Sequence, residues 1–279
     1  MRLITGAIIG LGAAGIYYTK FYSPSHAGLP GILGWTNLKL KESNQITKDA
    51  KKYVFELNDP EVSSGITVGS FVVARVKTPE GTVLRPYTPI SDVDQKGEIE
   101  FAIKTYEKGK LSKFLSTLEP GDEVSFKGPI SSFLWKPNEY KQVYLIGGGA
   151  GITPLYQLLK AIVKNPNDST KVDLIYSSSS DDIMLRDEID DLVKSSDKAQ
   201  VHYFVSEAKK DWKGLRGRID KQFLQENLPS PSDDVMVFVC GPPGFYETIC
   251  GGKPNPILQG RIGGILSELG YTKKNVHKF

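Results

Sequence analysis

The hydrophobic pattern of this chain changes period once, near residue 140, and that change restricts what the chain can fold into. From Trp35 to about Lys136 apolar residues mostly alternate with polar ones. Tyr53, Phe55 and Leu57 do so, as do Phe101 and Ile103, while Phe71 to Val76 is a more continuous apolar run. Period-two alternation marks strands with one buried face. Turn sequences Pro79-Glu80-Gly81, Lys96-Gly97 and Glu119-Pro120-Gly121 punctuate the runs, which points to an antiparallel β-barrel or sandwich. One helix is expected over residues 112–118, where Phe114, Leu115 and Leu118 share a face.

From Gln142 onward, short continuous apolar runs alternate with amphipathic stretches. Val143 to Ile146 is followed by Leu155, Leu158, Leu159, Ile162 and Val163 at helical spacing. Val172 to Tyr176 is followed by Leu185, Ile189, Leu192 and Val193, and Val201 to Val205 and Val235 to Val239 supply two more strands. Strands apolar on both faces and separated by helices form a parallel sheet covered on both sides. The expectation is therefore two domains, a barrel over residues 35–136 and an α/β unit over 137–279. Parallel sheets bind ligands beyond the carboxyl ends of their strands, so each motif in the second half ought to follow a strand directly.

Lys and Arg number 35 against 32 Asp and Glu, a net charge of +3, too balanced for a nucleic-acid binder. Two cysteines, Cys240 and Cys250, cannot build a disulfide framework, and with three histidines they supply no metal-ligand cluster. The chemistry falls to an organic cofactor or to hydroxyl and carboxylate side chains.

The first segment is different. Leu3 to Tyr18 carries no charge, is bracketed by Arg2 and Lys20, and is followed by Tyr22. Its 16 residues fall between a core helix and the roughly 20 that span a bilayer. Gly6 and Gly10 make a small-xxx-small step, and the tyrosines an interfacial belt. The reading is a single-pass N-terminal anchor helix within residues 1–22, then a linker at 23–34. A removable signal ending near Ser25-His26-Ala27 and a buried core helix are the rivals.

Three motifs follow strands. Gly147-Gly148-Gly149-Ala150-Gly151-Ile152-Thr153-Pro154 lets a backbone turn sharply and approach a pyrophosphate, with Thr153 placed as N-cap and Pro154 as first helical residue. It is neither G-x-G-x-x-G, because Ile152 stands where the third glycine falls, nor a phosphate-binding loop closed by Lys-Ser or Lys-Thr. Cys240-Gly241-Pro242-Pro243-Gly244 puts a thiol at a strand tip, where it can touch a flat ring or simply pack as a small hydrophobe. Ser177 to Ser180 offers hydroxyls where an acid for a ribose is expected, and reads equally well as a polar loop and helix cap. In the first half, Arg85-Pro86-Tyr87-Thr88-Pro89-Ile90 combines an edge-strand proline, a guanidinium fork, a stacking ring and a hydroxyl. Gly109-Lys110-Leu111-Ser112 opens the expected helix and makes a second anion nest.

These four strings, in this order, resemble the ferredoxin–NADP reductase superfamily and, within it, the NADH–cytochrome b5 reductase family. The resemblance covers about residues 35–279 and extends to an ending similar to fungal mitochondrial members, with Glu268-Leu269-Gly270-Tyr271 and a final Phe279. It implies an FAD-binding barrel, an NAD-binding α/β domain, and the flavin in the cleft between them. By the same resemblance Arg85 would hold the FAD pyrophosphate, with Pro86 beside it, and Tyr87 would pack on the flavin. Thr88 would orient the ring near N5, and Lys104 is a further flavin contact. Gly109, Lys110, Leu111 and Ser112 would donate to the FAD phosphates. Gly148, Gly149, Gly151 and Thr153 would line the NADH approach, with Cys240, Gly241 and Pro242 at the nicotinamide and Thr88 and Cys240 as the catalytic pair.

Two departures bear on coenzyme choice. Ser206 stands where many NADH-using members carry Asp, and Glu207 where NADPH-using members often carry Arg; a carboxylate there repels a 2′-phosphate and favours NADH. Gly263-Gly264, expected within the last helix, costs about 1 kcal/mol per residue relative to Ala. The implied partner is a cytochrome b5-type haem protein, met by Lys104, Lys108, Lys110 and Lys113, with no nucleic acid and a monomeric state expected. The implied site is the mitochondrial outer membrane with a processed intermembrane-space form, the endoplasmic reticulum being the alternative. Other readings are a reductase for an oxygenase or nitrate-reducing system, and a non-catalytic membrane-tethered nucleotide-binding scaffold.

Overall fold

The computed structural model describes residues 27–78, 81–255 and 258–279. The expected anchor at residues 1–22 lies outside the described residues. Among those described, no helix is long and apolar enough to cross a membrane.

Six antiparallel strands form the first unit: β1 (Gly31–Thr47), β2 (Ala50–Glu56), β3 (Ser70–Thr78), β4 (Gly81–Tyr87), β5 (Glu98–Lys104) and β6 (Glu123–Ser131). Their order is β4-β3-β6-β1-β2-β5, so β4 and β5 are the edges. The sheet curls around its apolar face. Phe101 of β5 stacks on Phe126 of β6 at 5.3 Å although two strands separate them in the sheet. Tyr87 at the end of β4 reaches Phe101 edge-on at 6.4 Å, so the two unpaired edges converge. Helix α1 (Lys110–Ser116) lies against β4 and adds Leu111 and Leu115 to this core. It starts two residues earlier than expected because Gly109 caps it in extended conformation. Pro86 sits on an edge strand, bonded on one side only through its register with Val73.

The second unit contains β7 (Gln142–Gly148), a 3-10 turn (Gly149–Gly151), α2 (Ile152–Lys164), β8 (Lys171–Ser178), α3 (Arg186–Lys194), β9 (Ala199–Val205) and β10 (Leu215–Arg216). After these come α4 (Lys221–Asn227), β11 (Val235–Cys240), α5 (Pro243–Ile249), α6 (Gly264–Glu268) and β12 (Val276–Lys278). All pairs are parallel, in the order β10-β9-β8-β7-β11-β12. Alternation within each strand separates two cores. Val143, Leu145 and Leu174 face α2, while Tyr144, Ile146, Ile175 and Val237 face α4 and α5. The chain steps outward from β7 to β9 and then returns to β11 on the other side of β7. This reversal opens a crevice beyond the carboxyl ends of β7 and β11.

Gly263 and Gly264 do not lie inside the last helix but start it. Gly264 has φ +54°, and a Cβ there would meet the Thr248 carbonyl oxygen at 2.4 Å, so the glycine lets α6 cross the end of α5. The two units share packing. Ala50, Ile90 and Ala102 of the barrel belong to the core beside α2.

Candidate active site

The crevice between β7 and β11 is floored by glycine because backbones meet there. Cys240 pairs with Gly147, and the end of β11 runs past the turn into α2. A Cβ on Gly151 would lie 2.3 Å from the Cys240 carbonyl oxygen, and one on Gly148 would lie 2.8 Å from the Phe245 ring. Gly148 and Gly151 are thus closed in by packing. Gly149 differs: its φ is +55°, a Cβ would meet nothing within 4 Å, and its carbonyl is held by the Tyr176 hydroxyl at 2.9 Å. This is where the loop meets open space. Thr153 is not the N-cap. The 3-10 turn runs straight into α2, which Gly151 caps and Ile152 starts, so no capping side chain is needed and the Thr153 hydroxyl only reaches the Ala150 oxygen at 3.5 Å. Pro154 is the third helical residue rather than the first, still within the first turn, where its missing N–H costs nothing.

Cys240 is half-buried at the tip of β11. Burial pushes its thiol up to about 11, against the opposing effects of the Tyr246 hydroxyl, the Lys253 charge and the Gly241 amide. At neutral pH it is a neutral thiol, suited to contact and unsuited to nucleophilic attack. Gly241 is tight under Phe245, and Pro242 caps α5 with Pro243 at its first position.

On the barrel side the motif runs into Pro89 and Ile90, whose carbonyls accept from Gln157 and Lys160 of α2. Arg85 is exposed on β4, and one guanidinium nitrogen donates to the Leu84 oxygen at 2.7 Å, leaving the rest of the fork outward. Tyr87 is half-buried, its hydroxyl pushed up by burial. Thr88 is half-buried, and Pro89 and Ile90 behind it are buried. Lys104, at the end of β5, is bound to Asp49 at 2.8 Å. Burial alone would raise the Asp49 carboxyl, but the Lys104 hydrogen bond and charge hold it below the usual range. Ser112 folds back so that its Oγ accepts from the Tyr106 amide at 3.3 Å, in the volume that a Cβ on Gly109 would fill at 2.3 Å. Leu111 is buried and anchors the turn, and the opening amides of α1 have no partner within the helix.

One residue escaped the sequence reading. Tyr106 is 49% exposed and its hydroxyl lies within electrostatic reach of the Ala150 amide and the Cys240 thiol; burial of that end raises it. It brings the barrel to the glycine loop, and no periodicity marked it.

Farther along the sheet edge, the loops after β8 and β9 are laced together. The Ser206 amide donates to Ser178 at 3.1 Å and the Glu207 amide to Ser179 at 2.9 Å, leaving the Glu207 carboxylate exposed. Ser177 and Ser178 lie within β8, and none of the run caps α3, whose N-cap is Leu185. The donors on the barrel side, an exposed guanidinium and open helix amides, suit a phosphate-bearing ligand, and the loop at Gly149 leaves room for a second.

Residues 37–135 match the family model of the oxidoreductase FAD-binding domain, and residues 145–251 that of the oxidoreductase NAD-binding domain. NADH-cytochrome b5 reductase 2 of Meyerozyma guilliermondii is 52% identical over 248 residues, spanning 88% of this chain and 84% of that protein. Its namesake in Lodderomyces elongisporus is 46% identical over 285 residues, spanning 99% and 95%. The chain belongs to the NADH–cytochrome b5 reductase family. The reductase is an FAD-dependent oxidoreductase whose barrel is the FAD-binding domain and whose parallel sheet is the NAD-binding domain. The cytochrome b5 reductase domain of Ulva prolifera nitrate reductase has the same fold, with a TM-score of 0.79 at 30% identity over 91% of this chain and 100% of that one.

Proposed function

We propose that this reductase takes a hydride from NADH onto FAD and passes single electrons to a cytochrome b5-type haem protein. The observation that supports this is convergence: Tyr106 of the barrel reaches the Ala150 amide and the Cys240 thiol, and the carbonyls of Pro89 and Ile90, just past Thr88, accept from the helix that continues the glycine turn. When bound, FAD supplies the hydride acceptance and the one-electron release. The chain supplies position. Arg85 offers a fork for the diphosphate, and the α1 amides of Lys110 and Leu111 a second phosphate contact. Tyr87 supports the ring, and the Thr88 hydroxyl orients its reacting edge. Neutral Cys240, with Gly241 and Pro242, closes the nicotinamide side against water, and Glu207 accepts from a ribose hydroxyl while repelling a 2′-phosphate.

The exposed Lys108, Lys110 and Lys113 beside the FAD motif form the surface for an acidic haem protein. The uncharged run Leu3 to Tyr18 supports a membrane anchor, and the chain ending shared with fungal mitochondrial members supports the mitochondrial outer membrane with a processed intermembrane-space form; a monomeric state completes the proposal. Purified protein is expected to be yellow, to bleach anaerobically with NADH and to reduce cytochrome b5; a colourless preparation that takes up no FAD refutes the proposal. Glu207→Arg is expected to shift kcat/KM toward NADPH, and no shift removes Glu207 as the selector. Imaging of the full chain and of a form lacking residues 1–30 tests the location.

A further inference from the structure

Helix α2 carries a polar stripe that is buried at Thr153, Gln157 and Lys160 and reaches the surface at Lys164. Thr153, Gln157, Lys160 and Lys164 recur at helical spacing, and Gln157 is 2% and Lys160 9% exposed. The stripe faces the barrel. Gln157 Oε1 accepts from the Gly69 amide at 2.8 Å, and its Nε2 donates to the carbonyls of Pro89 at 3.2 Å and Ser70 at 3.4 Å. Lys160 donates to the Ile90 carbonyl and pairs with Asp92 at 2.9 Å, while Lys164 takes the other oxygen of that carboxylate at 2.8 Å. Burial works to raise the Asp92 carboxyl, but the two lysines outweigh it and hold the group below the ordinary range.

Cohesion alone does not require this. Ala50, Ile90 and Ala102 already join the domains by apolar packing, which is tolerant of small slides. Buried polar groups cost desolvation unless each finds its partner, and the partner geometry is then narrow. What the bonds hold is specific. Pro89 and Ile90 are the residues immediately after Thr88, and α2 is the continuation of the glycine turn. A rigid helix therefore connects the turn at Gly149–Gly151 to the barrel segment ending at Ile90.

We propose that Gln157 and Lys160 are positioning residues for hydride transfer, fixing the separation between the Thr88 side and the Gly149–Cys240 side without touching either ring. The inference rests on the function proposed above. Reacting atoms must approach to about 3–3.5 Å, and a misplacement of about 1 Å costs on the order of 100-fold.

The test uses FAD-loaded enzyme carrying Gln157→Met or Lys160→Met, with Lys160→Arg as the conservative variant and Asp92→Asn as a mild one. In anaerobic stopped-flow with saturating NADH, the limiting rate of flavin bleaching is expected to fall about 10- to 100-fold in the two Met variants. Asp92→Asn is expected to slow it by less, and Lys160→Arg to restore it. FAD content per chain and ADP-ribose affinity by calorimetry are expected to hold at wild-type values, while hydrogen exchange at the Gly69 amide and in residues 88–92 accelerates. Bleaching at the wild-type rate despite faster exchange overturns the proposal, as does a slowdown that only tracks lost FAD. Should Gln157→Met fail to fold, Asp92→Asn indistinguishable from wild type overturns it equally. Wild-type enzyme that NADH does not bleach refutes the underlying function instead, a separate outcome.

Discussion

Gly151→Ala tests whether the crevice depends on close backbone approach. Gly151 has φ −65° and ψ −2°, which alanine adopts freely, so any cost is steric. The added Cβ would lie 2.3 Å from the Cys240 oxygen, 2.5 Å from its carbonyl carbon and 2.7 Å from the Gly241 nitrogen, all main chain and all below ordinary contact. The tip of β11 must retreat by about 1 Å, at an overpacking cost of about 1–3 kcal/mol. Because Cys240 moves with it, hydride transfer is expected to slow on the order of 100-fold. Gly148→Ala meets first the Phe245 side chain rather than main chain, and is expected to cost less. Gly149→Ala meets no atom within 4 Å but has φ +55°, so it is expected to cost about 1–2 kcal/mol by conformation alone. Urea denaturation followed by circular dichroism ranks the three, and anaerobic bleaching by NADH reports the crevice. Gly151→Ala with a wild-type midpoint and a wild-type bleaching rate refutes the reasoning.

Further outcomes follow from buried ionisable groups. Burial and the Lys253 charge push the His277 imidazole down to about 4 from 6.5, so between those values the unfolded chain binds the proton first. Acidification across that window is expected to remove up to about 3 kcal/mol of stability, and His277→Phe to flatten that slope; equal slopes in urea titrations contradict it. Lys278 is fully buried and donates to the carbonyls of Gly251 at 2.7 Å, Arg261 at 2.8 Å and Gly252 at 3.1 Å. Lys278→Met strands these three acceptors and is expected to cost about 2–3 kcal/mol, with faster proteolysis between residues 251 and 261; unchanged cleavage argues against the clamp.

Local chemistry made much of this protein legible before folding. The change of period separated barrel from parallel sheet because side-chain alternation is a property of each element alone. Pro86 announced an edge strand because it lacks an N–H, and the glycine run after β7 announced a tight turn because only glycine takes φ +55° at Gly149 without strain. The strip Thr153, Gln157, Lys160 and Lys164 was visible as spacing but not as meaning, since solvent faces of helices look the same. The partners of Gln157 and Lys160 lie 68 to 88 residues away, and polarity along a sequence does not say which polar side chains will be buried. Thr153 failed as a cap, and Gly264 proved a crossing point, for one reason: both depend on what the neighbouring backbone does. Sequence determined which elements form and where the chain may turn, because those are short-range preferences. Only the tertiary structure decided which atoms share the cleft, because hydrogen bonds and steric contacts between distant segments exist only once the sheets have docked.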